Sequence, residues 1–307
     1  MVWAVTGCPS FFIFKFMDNT FTLSDVPLVQ IERIPTGISY LDLAYGKTVI
    51  ADRSGRPVNF VAGLPVGAVS LWSGSPGVGK SRVGVAIATS MNARGHRVLF
   101  IQNEVSASQF RQWTADKVIN PDDFILHTSR DLYEQIKVIR KYRPHLTILD
   151  SLNMLDGYQS PAIIRKIAEE YKKAMQKAQG HAILIGHLNK AGSVKGNNDI
   201  QYMIDIECNL VRYSEWLSKE QKKAYDSKGL DTASMFLLVF EKNRYGGTTA
   251  GGCQNYVCFR HTATGIDVVT SNFANPLQQL PEEDEDSPED APKLSKRKRG
   301  WSLLGRR

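Results

Sequence analysis

The sequence predicts an α/β domain with a mainly parallel central sheet flanked by helices, on three observations. First, apolar strand-like runs alternate with segments of helical spacing from about Ile34 to Asn275, as in a parallel sheet with crossover helices. Second, the run Ala68–Trp72 leads into Gly74-Ser75-Pro76-Gly77-Val78-Gly79-Lys80-Ser81, and Ser81–Ala93 follows with helical spacing. Third, a short apolar run, Leu146–Leu149, delivers Asp150 to its end.

The second observation carries chemistry. Glycines allow successive backbone N–H groups to curl around phosphate oxygens, and the helix that follows adds its positive end. Lys80 can reach the β- and γ-phosphates of a nucleotide, and the Ser81 hydroxyl can hold Mg²⁺. Residues Gly74 to Ser81, with Arg82 beside them, are therefore expected to bind ATP. Asp150 is expected at the C-terminal edge of the sheet, where it can position the Mg²⁺ water shell. Hydrolysis also needs a group that orients or deprotonates water. Glu104 is the candidate, because the strand Arg97–Gln102 just before it should neighbour the phosphate-loop strand; the alternative is a Glu that caps the helix near Ser106. His187 follows the buried strand Ala182–Gly186 and is expected to sense the γ-phosphate, the alternative being a core histidine bonded to backbone.

The remaining elements follow from spacing. Ser106–Val118, Asp131–Tyr142 and Pro161–Gln179 read as helices, the last from Ile164, Ile167, Ala168 and Tyr171. Ile206–Tyr213, Ser234–Glu241 and Gln254–Arg260 read as strands of a β-rich closing edge. Lys47–Pro57 reads as a polar, turn-like insertion, and Ser214–Thr232 as a charged one. Residues 1–30 form an irregular leader with weak alternation around Phe12, Phe14 and Phe16, and residues 31–275 the core. From Pro276 onward proline and charge dominate, and a disordered tail is expected.

Composition narrows the class. Of 307 residues, 42% are hydrophobic and 22% charged, ordinary for a soluble globular protein. No run approaches the roughly 20 apolar residues of a membrane span. Val5-Thr6-Gly7-Cys8 faintly resembles a lipoprotein cleavage site, but no basic region precedes it, so a cytoplasmic protein without a membrane partner is expected; Met17 is an alternative start. Cys8, Cys208, Cys253 and Cys258 contain no C-x-x-C pair, so no zinc is expected and the thiols read as buried and reduced. The formal charge is +7. The acidic stretch Glu282–Asp290 and the basic stretch Lys293–Arg307 nearly cancel, which leaves the excess on the core. A basic core suits a polyanion such as nucleic acid; a basic surface serving solubility is the alternative.

Ile34-Pro35-Thr36-Gly37 with Leu41-Asp42, then the phosphate loop, then Val98-Leu99-Phe100-Ile101-Gln102-Asn103-Glu104 resembles the RecA-like ATPase core. Gly186-His187-Leu188-Asn189-Lys190, Met203-Ile204-Asp205 and above all Lys242-Asn243-Arg244-Tyr245-Gly246 resemble the bacterial RadA/Sms DNA-repair ATPases. That family carries a Lys-Asn-Arg-Phe-Gly signature, with Tyr245 here at the Phe position and Asn189 where the family has Thr. The resemblance spans about residues 31–270. It lacks the family's N-terminal zinc motif and C-terminal Lon-like domain, like a stripped core that a phage or plasmid of a bacterial cell encodes.

The resemblance implies a homo-hexameric ring, single-stranded DNA in its channel, and ATP-driven branch migration or strand exchange, with a RecA-type recombinase as a partner. By themselves Lys242 and Arg244 read as surface cations at a strand end, projecting to one side with Asn243 opposite. With the resemblance, they are expected to reach the neighbouring subunit's nucleotide as an arginine finger does. The basic loop Asn189–Asn198, with Lys190 and Lys195 and then Tyr202, is the expected DNA contact, and an ordinary solvent loop the alternative; Arg165 and Lys166 are a second candidate. A DnaB-type replicative helicase and a KaiC-type signalling ATPase that does not act on DNA remain the rival readings.

Overall fold

The structure is a computed structural model, and it describes residues 30–52, 54, 56–158, 160–187, 203–227, 231–246, 255–262 and 265–271. In chain order, β1 (Arg33–Ile34) and α1 (Ser39–Tyr45) lead to a hairpin of β2 (Lys47–Ala51) and β3 (Pro57–Ala62), then β4 (Leu64–Pro65) and β5 (Val69–Gly74). Next come α2 (Lys80–Ala93), β6 (Val98–Gln102), α3 (Ala107–Thr114), β7 (Phe124–His127), α4 (Leu132–Tyr142), β8 (Leu146–Asp150), α5 (Pro161–Ala178) and β9 (His181–Ile185). The remainder comprises β10 (Ile206–Arg212), α6 (Tyr213–Trp216), α7 (Lys219–Ser227), β11 (Met235–Asn243), β12 (Asn255–His261) and β13 (Ile266–Ser271).

One nine-stranded sheet of order β13-β12-β11-β10-β5-β9-β8-β6-β7 organises these elements. β10, β5, β9, β8, β6 and β7 run parallel, and β11, β12 and β13 close the sheet antiparallel. This is the α/β, RecA-like core the sequence predicts. β5, β6, β8 and β9 are buried along their whole length, because helices cover both faces and a continuous apolar run then costs nothing in exposed surface. Alternate side chains go to opposite faces. Trp72, Phe100, Ile148 and Ile183 pack with α1, α2 and α3, while Leu71, Leu99, Leu149 and Leu184 pack with α4 and α5.

Local chemistry sets the helix ends. Ser106 and Gln109 form a reciprocal capping box at the start of α3. The Asp131 carboxylate accepts from the Glu134 N–H at 2.8 Å to start α4. Pro161 opens α5.

Four expectations differ from what is found. Val98–Gln102 does not neighbour the phosphate-loop strand, because the crossover through α2 passes over two strand positions that β8 and β9 fill. Lys47–Pro57 is not all turn: Lys47–Ala51 is a strand that pairs with Pro57–Ala62, and the chain reverses only between them. The charged segment after Tyr213 forms the short helices α6 and α7. The helix begun at Ser106 stops at Thr114 and does not reach Val118. Cys208 and Cys258 are buried free thiols, and Cys8 and Cys253 lie outside the described residues. Among the described residues no helix is long and apolar enough to cross a membrane.

A histidine anchors the sheet below the phosphate loop. His181 is fully buried, with Nδ1 2.9 Å from the Pro65 carbonyl and Nε2 2.7 Å from Ser70 Oγ. A carbonyl can only accept, so Nδ1 carries the proton and Nε2 accepts from the Ser70 hydroxyl. Burial pushes its pKa down from 6.5 to about 4. The unfolded chain therefore binds the extra proton between those two values, and stability falls as pH drops through that window. A depression of that size corresponds to on the order of 3 kcal/mol. His181→Gln is expected to flatten the fall in urea midpoint between pH 6.5 and 4.5; a fall as steep as the parent's refutes the assignment.

Candidate nucleotide site

Strand direction brings the predicted nucleotide residues to one edge. Trp72, Ile185, Asp150 and Gln102 lie level across β5, β9, β8 and β6, so the loops that follow these strands open side by side. Gly74 to Ser81 follows β5, and its backbone turns into α2 at Gly79, which has φ +102. A Cβ there would also lie 2.6 Å from His261 Cε1, so conformation and space both require glycine. Lys80 is buried, and its ammonium donates to the Gly74 carbonyl at 2.8 Å and the Ser75 carbonyl at 3.1 Å. Burial lowers its pKa, against the pull of Asp150 and Glu104.

Gln102 ties the Asp150 carboxylate to the backbone of Glu104. Its amide nitrogen donates to Asp150 Oδ2 at 3.2 Å, and its amide oxygen accepts from the backbone N–H of Glu104 at 2.8 Å and of Val105 at 3.3 Å. Asn103 accepts from the Ser151 N–H at 2.7 Å, which fixes the chain just beyond Asp150. Asp150 is buried, and burial raises its pKa, with Glu104 adding to the rise and bonds from Ser81 and Gln102 opposing it. A carboxylate desolvated in this way is stabilised by a cation, and Ser81 beside it offers a hydroxyl oxygen of the kind Mg²⁺ takes. This donor set, next to a loop of backbone donors and a buried ammonium, fits a Mg²⁺-bound nucleoside triphosphate.

Glu104 does not cap α3; Ser106 does. Its Oε1 instead lies 2.9 Å from His187 Nε2, and this bond holds the carboxyl below its ordinary range despite partial burial. His187 is fixed by its own N–H, which donates to Asn153 Oδ1 at 2.7 Å. The imidazole thus joins the loop after β9 to Glu104.

Lys242 and Arg244 stand elsewhere. β11 runs antiparallel to β10 and β5, so Asn243 pairs with Ile206 at the far edge. At roughly 3.3 Å per residue, Arg244, level with Val69 through Asp205, stands about 17 Å along β5 from Gly74, and Lys242, level with Leu71 through Glu207, about 10 Å. Lys242 Nζ donates to the Ile204 carbonyl at 2.7 Å. Arg244 Nη1 lies 3.6 Å from Asp205 Oδ1, and the same buried carboxylate takes Lys172 Nζ at 2.7 Å. Both cations face the 204–205 segment. Asn243 points away, with its amide nitrogen on the Ala44 and Tyr45 carbonyls and its amide oxygen accepting from the Tyr245 and Gly246 N–H groups. Lys190, Lys195 and Tyr202 lie outside the described residues. Lys166 sits on α5 with its ammonium against Tyr133 of α4.

Sequence reasoning missed Gln102, Asn103 and Asn153, polar residues at strand or loop positions whose partners are 48 and 34 residues away. It also missed His261. The end of β12 brings that ring against Gly79 and within 3.4 Å of Arg82 Nη1, and burial, then Arg82, lowers its pKa. From there a cleft of about 760 Å³ runs along α2, lined by Arg82, Val85, Thr89, Trp113, Lys117 and Ile266. Its volume is that of a ligand pocket.

No protein-family model matches the chain. Curated relatives do. The chain is 26% identical over 271 residues to the DNA repair protein RadA of Mycolicibacterium smegmatis, covering 83% of this chain and 50% of that protein. It is 27% identical over 259 residues to the RadA of Campylobacter jejuni, covering 82% and 50%, and 24% identical over 228 residues to that of Mycobacterium tuberculosis, covering 71% and 41%. The chain spans about half the length of the curated relatives it matches. The RadA-type resemblance read from the signature thus extends over most of the chain.

The Glu104–His187 pair generates a test. Glu104→Gln keeps the shape but not the basicity. It is expected to leave ATP affinity within about threefold and to lower turnover by about 10²-fold or more, as read by nucleotide titration and steady-state phosphate release. Parental turnover in this variant removes Glu104 from the chemistry.

Proposed function

We propose that this RadA-like chain is an ATP-hydrolysing, single-stranded-DNA-binding motor of recombinational repair, working as a ring in which each nucleotide is completed by the adjacent copy. The observation that supports it most is that the Lys242 ammonium and the Arg244 guanidinium both turn to the 204–205 segment, at the sheet edge opposite their own phosphate loop. Two cations of a RadA-type signature that cannot serve their own nucleotide can serve a neighbour's in a head-to-tail ring.

Each residue then has a role. The loop Gly74–Gly79 and Lys80 bind the phosphates, with Arg82 and His261 on the side where the cleft receives the nucleoside. Ser81 and Asp150 hold Mg²⁺, which supplies positive charge to the phosphate oxygens. Glu104, fixed by Gln102 and His187, orients the attacking water and takes its proton. Lys242 and Arg244 of the adjacent copy stabilise charge as it develops on the transferred phosphoryl group. His187 reports γ-phosphate loss to the loop that follows it. That loop carries Lys190 and Lys195 on DNA phosphates and leads to Tyr202 against the bases. Hexameric assembly, branch migration or strand exchange, and work beside a RecA-type recombinase complete the reading.

The central experiment is ATP turnover with and without single-stranded DNA, beside Lys80→Ala as a blank. DNA is expected to raise parental turnover severalfold and to leave Lys80→Ala inactive. Arg244→Ala is expected to bind ATP yet turn over at about 10³-fold lower rate. An equimolar mixture of Lys80→Ala and Arg244→Ala recovers activity, because intact fingers then meet intact loops; no recovery rejects the shared site. Lys190→Glu with Lys195→Glu is expected to weaken single-strand binding and reduce the slope of log affinity against log salt by about 1.4. Unchanged binding moves the DNA path elsewhere.

A further inference from the structure

Asp205 has no part in the chemistry above, yet both signature cations are arranged around its segment. Its side chain is 1% exposed, and a carboxylate buried that deeply is costly unless it is paired. Different elements take its two oxygens. Oδ2 accepts from the Val69 N–H at 3.2 Å, at the start of β5. Oδ1 takes the Lys172 ammonium of α5 at 2.7 Å and faces the Arg244 guanidinium at 3.6 Å. The main chain takes part as well. The Asp205 N–H donates to the Val69 carbonyl at 3.1 Å, and the Asp205 carbonyl accepts from the Arg244 N–H at 3.2 Å. Asp205 is thus fixed to β5 and α5, and Arg244 is fixed to Asp205 through both backbone and side chain.

Charge explains why a carboxylate stands here. Lys172, Lys242 and Arg244 converge on the 204–205 segment, and cations this close repel one another. Lys242 registers the balance. Burial lowers its pKa and Arg244 and Lys172 lower it further, while Glu207 and Asp205 oppose them. Asp205 pairs with the arginine itself, so loss of its charge releases the guanidinium to the push of the two lysines.

The arrangement holds the arginine without using it up. Lys172 is the nearer partner of the shared oxygen, and the Arg244 side chain stays 50% exposed. The chain beyond it is also held. The Asn243 amide oxygen accepts from the Tyr245 and Gly246 N–H groups, and the Arg33 guanidinium donates to the Tyr245 carbonyl at 2.5 Å. An arginine that completes another copy's site works best when it is aimed before it arrives, because a loose one loses rotamer freedom on contact and misses the reacting geometry.

We infer that Asp205 is a positioning residue of the shared site: it aims the Arg244 guanidinium at the nucleotide of the adjacent copy and serves no phosphate itself. The inference rests on the shared-site reading above, and the mixtures below let each fail separately.

The test is steady-state phosphate release from mixtures of variants of the full chain, with nucleotide titration beside it. Asp205→Asn keeps the shape and an oxygen for the Val69 N–H but removes the charge. It is expected to bind ATP within about threefold of the parent and to turn over at least about tenfold more slowly. Mixed with Lys80→Ala it exceeds the sum of its parts, because its intact phosphate loop then meets an intact finger. Mixed with Arg244→Ala it stays at that sum, because every finger present is impaired. Placed in the same chain as Arg244→Ala, it causes no further loss. If Asp205→Asn does not fold, Asp205→Asn with Lys172→Met, which removes the ammonium that the substitution strands, takes its place throughout. The inference is overturned by parental turnover in the variant, by turnover above the parent's, which makes Asp205 a restraint on the finger, by recovery with Arg244→Ala, or by a further loss on top of Arg244→Ala. The mixture of Lys80→Ala with Arg244→Ala is the reference. No recovery there rejects the shared site; recovery there but none between Asp205→Asn and Lys80→Ala rejects the positioning role alone.

Discussion

Strand direction is the constraint on which the rest depends. Six parallel strands put the ends of β5, β6, β8 and β9 on one edge, and the reversal at β11 puts Asn243 on the other. The phosphate loop, both carboxylates and His187 are neighbours for that reason, although 113 positions separate Gly74 from His187 in the sequence. For the same reason the signature cations are far from them. The long covalent path matters little here, because the ladder of backbone hydrogen bonds sets distances between strand ends to within a fraction of a residue.

Electrostatics at the nucleotide edge is unbalanced by design of the fold. Asp150 and Lys80 are both buried, and burial drives each toward its neutral form. Glu104 goes the other way, because an imidazole donates to it. One carboxylate is thus poised for a cation and the other is kept charged beside water. Gln102 bonds the Asp150 carboxylate and the backbone N–H of Glu104, so the main chain at Glu104 is placed from Asp150. At the far edge Asp205 gathers Lys172 and Arg244 around one buried carboxylate. It holds the arginine without enclosing it, since that side chain remains 50% exposed.

Much of this was legible in the sequence, for local reasons. The phosphate loop declares itself because its glycines, lysine and serine are contiguous, and the buried strands because apolar runs of five residues bounded by polar ones have few other uses. Asp150 followed from its strand. What could not be read was lateral order. The sequence spacing of β5 and β6 suggests adjacency, whereas the two strands between them arrive later in the chain. Gln102, Asn153 and His261 were hidden likewise, since an amide or imidazole at a strand end acquires meaning only from what lies across the sheet. The hairpin was misread because Asp52, Ser54 and Arg56 at its turn outweighed the short alternation on either side.

The hairpin leaves the core at Gly46 and returns at Gly63, and the Gly63 N–H closes the gap on the Gly46 carbonyl at 3.2 Å. The stretch between pairs only with itself and stands outside the nine-stranded sheet, to which Arg33 ties it through Thr48 Oγ1 and the Tyr245 carbonyl. Its length and charge can drift over generations without loss of fold, while Lys80, Glu104 and Asp150 cannot.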